Sequence, residues 1–279
     1  MKGKRPVDGG SAGLVRSEER GVVVLTIRRP PANALDNDTV IALRRAMEGI
    51  VRRKDRVKAV VLTGDGDRFF SAGGDVKELE GLTVQEGIVR IRSFHAILDA
   101  MERMEAPVVC AVNGDAVGGG AELCLFSDYR VAVRSARFGL PEVNHGLLPA
   151  SKSIRQAVRV LGLREARRLL YGGNIIGAEE ALRVGFVDDL AADRGELMLK
   201  AMSWAESVGS KPQALTGPLK RTMLHTGASS DGELLRMTIK DFRRYFRTPE
   251  VREQMRSVLQ RWQSLRRKSH EGEPPGGTR

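Results

Sequence analysis

Three short, almost unbroken apolar runs limit what this chain can fold into: GVVVLTI (21–27), VKAVVLTG (57–64) and PVVCAV (107–112). Runs of that length, rich in β-branched residues and bounded by Pro, Gly or Asn, read as buried strands. Stretches of helical period lie between them. Asp38 or Thr39 is placed to cap a helix reaching about Arg53, with Val40, Leu43, Met47 and Ile50 on one face. A longer helix is predicted over 84–105, carrying Ile88, Ile91, Phe94, Ile97, Leu98 and Met101 at helical spacing, and Pro107 ends it. A short helix follows the third run to about Phe126, and YRVAV (129–133) reads as a fourth strand. From about Ser151 helical patterns dominate, over 151–162, 164–171, 178–184, 193–208 and from 231 onward. The class is therefore α/β, with strand–strand–helix units first and helices after. The expected division is a core over 14–205, a C-terminal helical region over 206–268, and disordered tails at 1–13 and 269–279.

The 279 residues suffice for one large domain with a helical extension. Cys110 and Cys124, the only cysteines, both sit in apolar runs and read as reduced core thiols. Two cysteines are too few for a disulfide framework or a metal cluster, so no metal is expected. No apolar run approaches the ~18 residues of a membrane span. The opening MKGKRPVDGGSAG lacks the apolar centre of a secretory signal, and a cytoplasmic location is expected. A net charge of +11 favours anionic partners. Part of the excess lies near the C-terminus, in Lys240, Arg243, Arg244, Arg247, Arg261, Arg266, Arg267 and Lys268, where it reads as a solvated helix face. Aromatics are only 5% of the chain, which argues against a base-stacking surface and makes nucleic acid an unlikely partner.

Two strand-to-loop junctions carry glycine, SAGGD at 71–75 and GDAVGGGAE at 114–122. Glycine allows close backbone approach, and helix N-termini expose unpaired N–H groups. Two such N–H groups aimed at one point make an oxyanion hole, although each loop alone could be no more than a tight turn. Neither loop has the phosphate-cradling pattern GxxxxGK[ST], and no GxGxxG follows the first strand. Glu122 falls on the first turn of a helix, where the helix dipole alone could explain a carboxylate. Glu142, in GLPEVNHG, could by itself be a surface residue. Together the two suit general acid–base work beside an activated carbonyl. Asn113 and Asp128 read as turn or capping residues.

FFSAGGDVKEL, AVNGDAVGGGAEL and FGLPEVNHGLLP, in this order and spacing, resemble the crotonase (enoyl-CoA hydratase/isomerase) superfamily. The likeness runs from RRPPANALD at 28–36 to IGAEEALRVGFVDDL at 176–190. It implies a spiral of ββα units with a C-terminal helical region, and an acyl-CoA thioester as substrate, so that coenzyme A is part of the substrate and no separate cofactor is needed. It implies an oxyanion hole from the backbone N–H groups of Ala72 and Gly119. Glu122 and Glu142 match the two acid/base glutamates of the hydratase branch, Glu142 as proton donor to Cα and Glu122 as orienter and base for water. Lys77, Arg28 and Arg29 are the candidate contacts to the CoA moiety. The resemblance further implies a homotrimer or a dimer of trimers, with Met237, Phe242, Phe246, Met255 and Leu259 available for a subunit interface.

The chain also departs from the family pattern. Where hydratases commonly read PGAGG, this sequence has Ala150, Ser151, Lys152 and Ser153 after Pro149. His145 and Ser151 are accordingly candidates for the acyl pocket. These departures keep an isomerase, hydrolase or decarboxylase on the same scaffold as the alternative reading, with an RNA-binding relative as a minor one.

Overall fold

A computed structural model of the protein describes residues 5–6, 13–53, 57–225, 231–253, 255–257 and 260. The chain divides into two compact units, residues 1–213 and 214–279. The helix over 194–209 runs unbroken across the expected junction at 205/206. Of the expected tails, only Arg5, Pro6 and Gly13 are described, and 269–279 lie outside the described residues.

The first unit is an α/β spiral around two sheets. The larger sheet contains β1 (Arg5–Pro6), β2 (Leu14–Glu19), β3 (Val22–Ile27), β4 (Ala59–Gly64), β6 (Val108–Val112), β8 (Tyr129–Val133) and β11 (Asp189–Ala191), in the spatial order β1-β2-β3-β4-β6-β8-β11. Its first two pairings are antiparallel and the rest parallel. The smaller sheet has the order β10-β9-β7-β5, built from three-residue strands: β5 (Phe69–Ser71), β7 (Asp115–Val117), β9 (Arg137–Gly139) and β10 (Ile175–Gly177). Each of β4, β6 and β8 thus passes directly to a short strand of the other sheet, which is the expected ββα spiral. All residues of β4 and β6 are buried, because helices cover one face of the large sheet and the small sheet and its loops cover the other.

The helices form where the periodicity places them. In α1 (Asn37–Arg52) Val40, Leu43, Met47 and Ile50 are buried, each worth ~2 kcal/mol of burial. The cap is Asp36, one turn before the expected residues, and its side chain accepts from the Thr39 N–H at 2.9 Å. After a single turn at α2 (Val76–Glu80) comes α3 (Val84–Arg103), opened by a capping box of Thr83 and Glu86. Ile97, Leu98 and Met101 of α3 enter the core, but Ile91 is 59% exposed. The apolar stripe of this helix therefore serves the core along only half its length. The short α4 (Gly119–Leu125) is buried throughout from Gly120. α5 (Ser151–Gly172) is interrupted at Gly162, which adopts a positive φ of 76°, one residue before the expected gap at 163. α6 (Ala178–Arg183) and α7 (Arg194–Gly209) complete the unit. α7 lies against the large sheet through Leu197, Ala201, Ala205 and Gly209, the last three small enough to let the helix approach closely.

The second unit holds most of α8 (Gln213–His225) and all of α9 (Asp231–Tyr245). Arg221 pairs with Asp241 at 2.6 Å, and Phe242 stacks on Phe246 with ring centroids 4.8 Å apart. Phe242 and Met255 are exposed, Met237 and Phe246 are half-buried, and Leu259 lies outside the described residues. Among the described residues no helix is long and apolar enough to cross a membrane, and no cluster of three or more His, Cys, Asp or Glu side chains is placed to hold a metal ion. Cys110 and Cys124 are buried and unpaired as thiols, and burial pushes the Cys124 thiol well up.

Candidate active site

The site is assembled where the loops leaving β5 and β7 meet. Two buried asparagines fix their approach. Asn33 donates from Nδ2 to the carbonyls of Asp65 at 2.9 Å and Phe69 at 2.8 Å. Asn113 accepts from the Gly64 N–H at 2.8 Å and donates to the carbonyls of Gly66 at 2.7 Å and Phe69 at 3.1 Å. Asn113 is thus more than a turn residue, since it ties the ends of β4 and β6 to the start of β5. Asp128 accepts from the Val108 N–H at 2.7 Å and braces the beginning of β6. Beyond β5, Gly73 takes a φ of 84°, and a Cβ there would lie 2.7 Å from the Val117 carbonyl oxygen and 3.1 Å from the Gly119 nitrogen. Only glycine combines that conformation with that approach. The two glycine loops therefore touch, backbone against backbone.

This contact places Gly74 and Gly119 on the wall of one cavity. Gly119 is the first residue of α4, where a helix leaves its N–H groups unpaired. Gly74 forms a parallel bridge with Leu35, but the bonds are carried by its neighbours. The Leu35 N–H donates to the Gly73 carbonyl at 2.7 Å, and the Asp75 N–H donates to the Leu35 carbonyl at 3.4 Å. The Gly74 N–H takes no part in the bridge and is turned to its other side. Ala72, the residue expected as oxyanion donor, is corrected by the structure. Its N–H donates to the Ala32 carbonyl at 3.0 Å, and it does not line the cavity. Gly74 is the residue of this loop that lines the cavity beside Gly119. The signal for it was available, because Gly74 immediately precedes the Asp75 cap of α2.

Glu122 and Glu142 come to the same cavity from opposite sides, one from the first turn of α4 and one from the 3-10 turn over Glu142–His145. Glu122 is 5% exposed, and its Oε2 accepts from the Ala150 N–H at 3.0 Å. Burial raises its carboxyl from 4.5 to about 7, the charge of Glu142 adds to the rise, and the nearby Ser153 hydroxyl and the Ala150 N–H oppose it. Glu142 is also raised by burial, with a partial offset from its local backbone and from His145. Its Oε2 is buried and has no hydrogen-bond partner. A buried carboxylate oxygen without a donor marks the place of a water or a substrate atom. Two carboxyls of raised proton affinity, at a cavity wall that presents backbone N–H groups, can hold one proton between them and pass it at neutral pH.

The cavity has a volume of about 710 Å³ and is walled mainly by apolar side chains of α3 and of the segment 146–154. Ser151 lines it as expected. His145 does not: it is exposed, and its Nδ1 sits 3.0 Å from the Pro141 carbonyl oxygen. Arg28 and Lys77 are exposed near the cavity's loops without lining it. Arg29 is engaged instead, paired with Asp36 at 2.6 Å and Asp75 at 2.7 Å, so it clasps the Asp36 cap to the Gly73–Asp75 segment. These carboxyls are held low against their burial by that clasp and by N–H groups of the helices they cap. Sequence reasoning missed Arg90 and His95, both in the cavity wall. Arg90 is bonded to the Leu35 carbonyl and pairs with Glu78 at 3.3 Å. Both residues interrupt the apolar stripe of α3 at helical spacing with Gly87, Ile91 and Phe94, and that interruption was the signal.

The comparisons with known proteins agree with this geometry. The family model described as enoyl-CoA hydratase/isomerase matches residues 17–264. The chain is 33% identical to the crotonyl-CoA hydratase of Syntrophomonas wolfei over 254 residues, covering 89% of this chain and 95% of that one. It is 32% identical to the short-chain-enoyl-CoA hydratase of Clostridium acetobutylicum, with the same coverage of each chain, 89% and 95%. Among solved structures it is similar to Pseudomonas aeruginosa DspI, with a TM-score of 0.84 at 29% identity over 91% of this chain and 97% of that one. It is also similar to an enoyl-CoA hydratase from Bacillus anthracis, with a TM-score of 0.83 at 26% identity over 89% and 96% of the two chains. The chain belongs to the enoyl-CoA hydratase/isomerase (crotonase) superfamily.

Proposed function

We propose that the protein adds water across the double bond of a 2-enoyl-CoA thioester. The observation that carries this reading is the buried, partnerless Oε2 of Glu142 in the cavity that Glu122 also lines. Two carboxyls able to exchange a proton are what hydration needs, whereas isomerisation needs only one group to move a proton between carbons. The names of the two relatives, both hydratases of enoyl-CoA, support the same choice.

In this mechanism the thioester oxygen accepts hydrogen bonds from the Gly74 and Gly119 N–H groups. Negative charge develops on that oxygen as the enolate forms, and each donor is worth about 3–4 kcal/mol to the transition state. Water is held between the carboxyls. At rest the pair's proton favours Glu122; in the reacting form it has passed to Glu142, so the water oxygen bonds to Cβ as the water proton goes to ionised Glu122, and Glu142 delivers its proton to Cα. The step leaves a proton on Glu122, so the pair ends as it began. The Ala150 N–H keeps the Glu122 carboxylate oriented throughout. Lys77 and Arg28 are the exposed cations proposed for the CoA phosphates, and Arg29 is assigned to the clasp. A trimer or dimer of trimers is the proposed assembly and the cytoplasm the proposed location.

The test is turnover of an enoyl-CoA panel beginning with crotonyl-CoA, with products read by mass spectrometry. Hydration adds the mass of one water, and Glu142→Gln should lower kcat by ~10²-fold or more. A product of unchanged mass, or near-native turnover by both Glu122→Gln and Glu142→Gln, overturns the reading.

A further inference from the structure

The α5 N-terminus carries a polar group that the mechanism above does not use. Ser153 is fully buried, and its Oγ has no hydrogen-bond partner. A buried hydroxyl left unbonded is costly, and native interiors rarely leave one. The backbone of the same turn is already in use, since the Ser153 N–H donates to the Ala150 carbonyl at 2.7 Å while the Ala150 N–H holds Glu122 Oε2 at 3.0 Å. The hydroxyl therefore sits on the turn that grips Glu122, close enough to oppose the effect of burial on that carboxyl but outside standard hydrogen-bond geometry. A hydroxyl proton is free to turn, and a small rotamer adjustment closes such a gap.

We propose that Ser153 is a positioning residue for the Glu122 base, its hydroxyl donating a hydrogen bond to the Glu122 carboxylate whenever that group is ionised. With Glu122 neutral the donor is idle, and with Glu122 charged it supplies a second hydrogen bond beside that of Ala150. The water-activating form of Glu122 is thus stabilised inside an environment that otherwise opposes charge. The charged and titratable groups that line the cavity with Glu122 are Glu142 from the 3-10 turn and Arg90 and His95 from α3, and Lys152 lies one residue before Ser153 on α5. Arg90 is engaged with Glu78 and the Leu35 carbonyl, and Lys152 is engaged with Asp99 and Glu102. Neither is therefore free to perform this task, and Ser153 is.

The inference builds on the hydratase reading but can be tested apart from it. In the full-length protein, infrared titration follows the C=O stretch of the protonated Glu122 carboxyl, identified by its loss in Glu122→Gln. In Ser153→Ala the midpoint should rise by about one pH unit, a tenfold change in the acid constant, and in Ser153→Thr it should stay near that of the wild type. The low-pH limb of kcat/KM on crotonyl-CoA should move with it. Ser153→Gly is a second hydroxyl-free variant if packing defeats the first. An infrared midpoint unchanged in both hydroxyl-free variants overturns the proposal, whatever their activity. A shifted midpoint in a protein that hydrates no enoyl-CoA would retain the Ser153–Glu122 contact and remove the hydratase reading alone.

Discussion

Replacing Glu122 by glutamine should stabilise the fold at neutral and alkaline pH while abolishing most activity. Burial raises this carboxyl from its ordinary value of 4.5 to about 7. A carboxyl whose proton affinity is higher in the folded chain contributes stability that is complete below the unfolded value and is lost as pH rises through the folded one. The rise is worth ~3 kcal/mol at about 1.4 kcal/mol per pH unit, all of it lost by about pH 8. Glutamine carries no charge to desolvate and keeps an oxygen that can accept from the Ala150 N–H. The stability difference between Glu122→Gln and the wild type should therefore grow by ~2–3 kcal/mol in favour of the variant between about pH 4.5 and pH 8. Glu142 adds in the same direction, because losing its charged neighbour eases its own ionisation. Urea unfolding at fixed protein concentration across that range measures the difference. A difference flat with pH would refute burial as the cause of the raised proton affinity, and one that falls with pH would refute its sign.

Three further outcomes follow from the same contacts. Gly120→Ala would put a Cβ 2.5 Å from the Ser71 carbonyl oxygen, so α4 must move off β5. Stability should fall by ~1–3 kcal/mol in denaturant titration and kcat by more than about tenfold, since Gly119 and Glu122 move with the helix. Lys152→Met removes the cation that joins α5 to Asp99 and Glu102 of α3 and lies 5.7 Å from the Phe126 ring, and should cost ~2 kcal/mol of stability. His145→Ala should leave KM for crotonyl-CoA within about twofold, because His145 is exposed outside the cavity wall; a larger rise would return it to the acyl pocket.

Most of the large sheet was legible because β3, β4, β6 and β8 are continuous apolar runs, and α1 because Val40, Leu43, Met47 and Ile50 keep strict period. The small sheet was not. Its strands are three residues long, too short for any alternation, and β5, β7 and β9 are specified by pairing with residues dozens of positions away. β10 reaches its partner β9 in the same way. α8 was hidden by Gly217 and Pro218 within its own length. In the site, Glu122 and Glu142 were singled out from the sequence and Gly119 was implied by the family resemblance, and the structure gathers all three at one cavity. The error at Ala72 has a local cause. Gly73 lies between Ala72 and Gly74 with a φ of 84°, and the Ala72 N–H is taken by the Ala32 carbonyl while Gly74 lines the cavity. That turn is fixed by Leu35, whose pairing with this segment no one-dimensional pattern records.

The division of labour along α3 explains how a site this rigid still admits a bulky thioester. The donors and the carboxyls move as one body, because Gly73 packs on Gly119, Asn113 binds β4 and β6 to β5, and Ala150 holds Glu122. Any displacement among them would misplace the reacting atoms, and a misplacement of about 1 Å is enough to cost ~10²-fold in rate. Entry must therefore be accommodated elsewhere. The C-terminal half of α3 is fixed by Ile97, Leu98 and Met101 in the core and by Lys152 at Asp99 and Glu102. The N-terminal half is more open: Val84 is 79% exposed and Ile91 59%, and both line the cavity. Its ties are Ser93, which is buried, and Arg90, which reaches the Leu35 carbonyl. The wall proposed to meet the acyl chain is thus the most open part of the site, and Arg90 and Phe94 join it to Leu35 and Gly119. Acyl preference can change through α3 without disturbing the carboxyls so long as those contacts are kept.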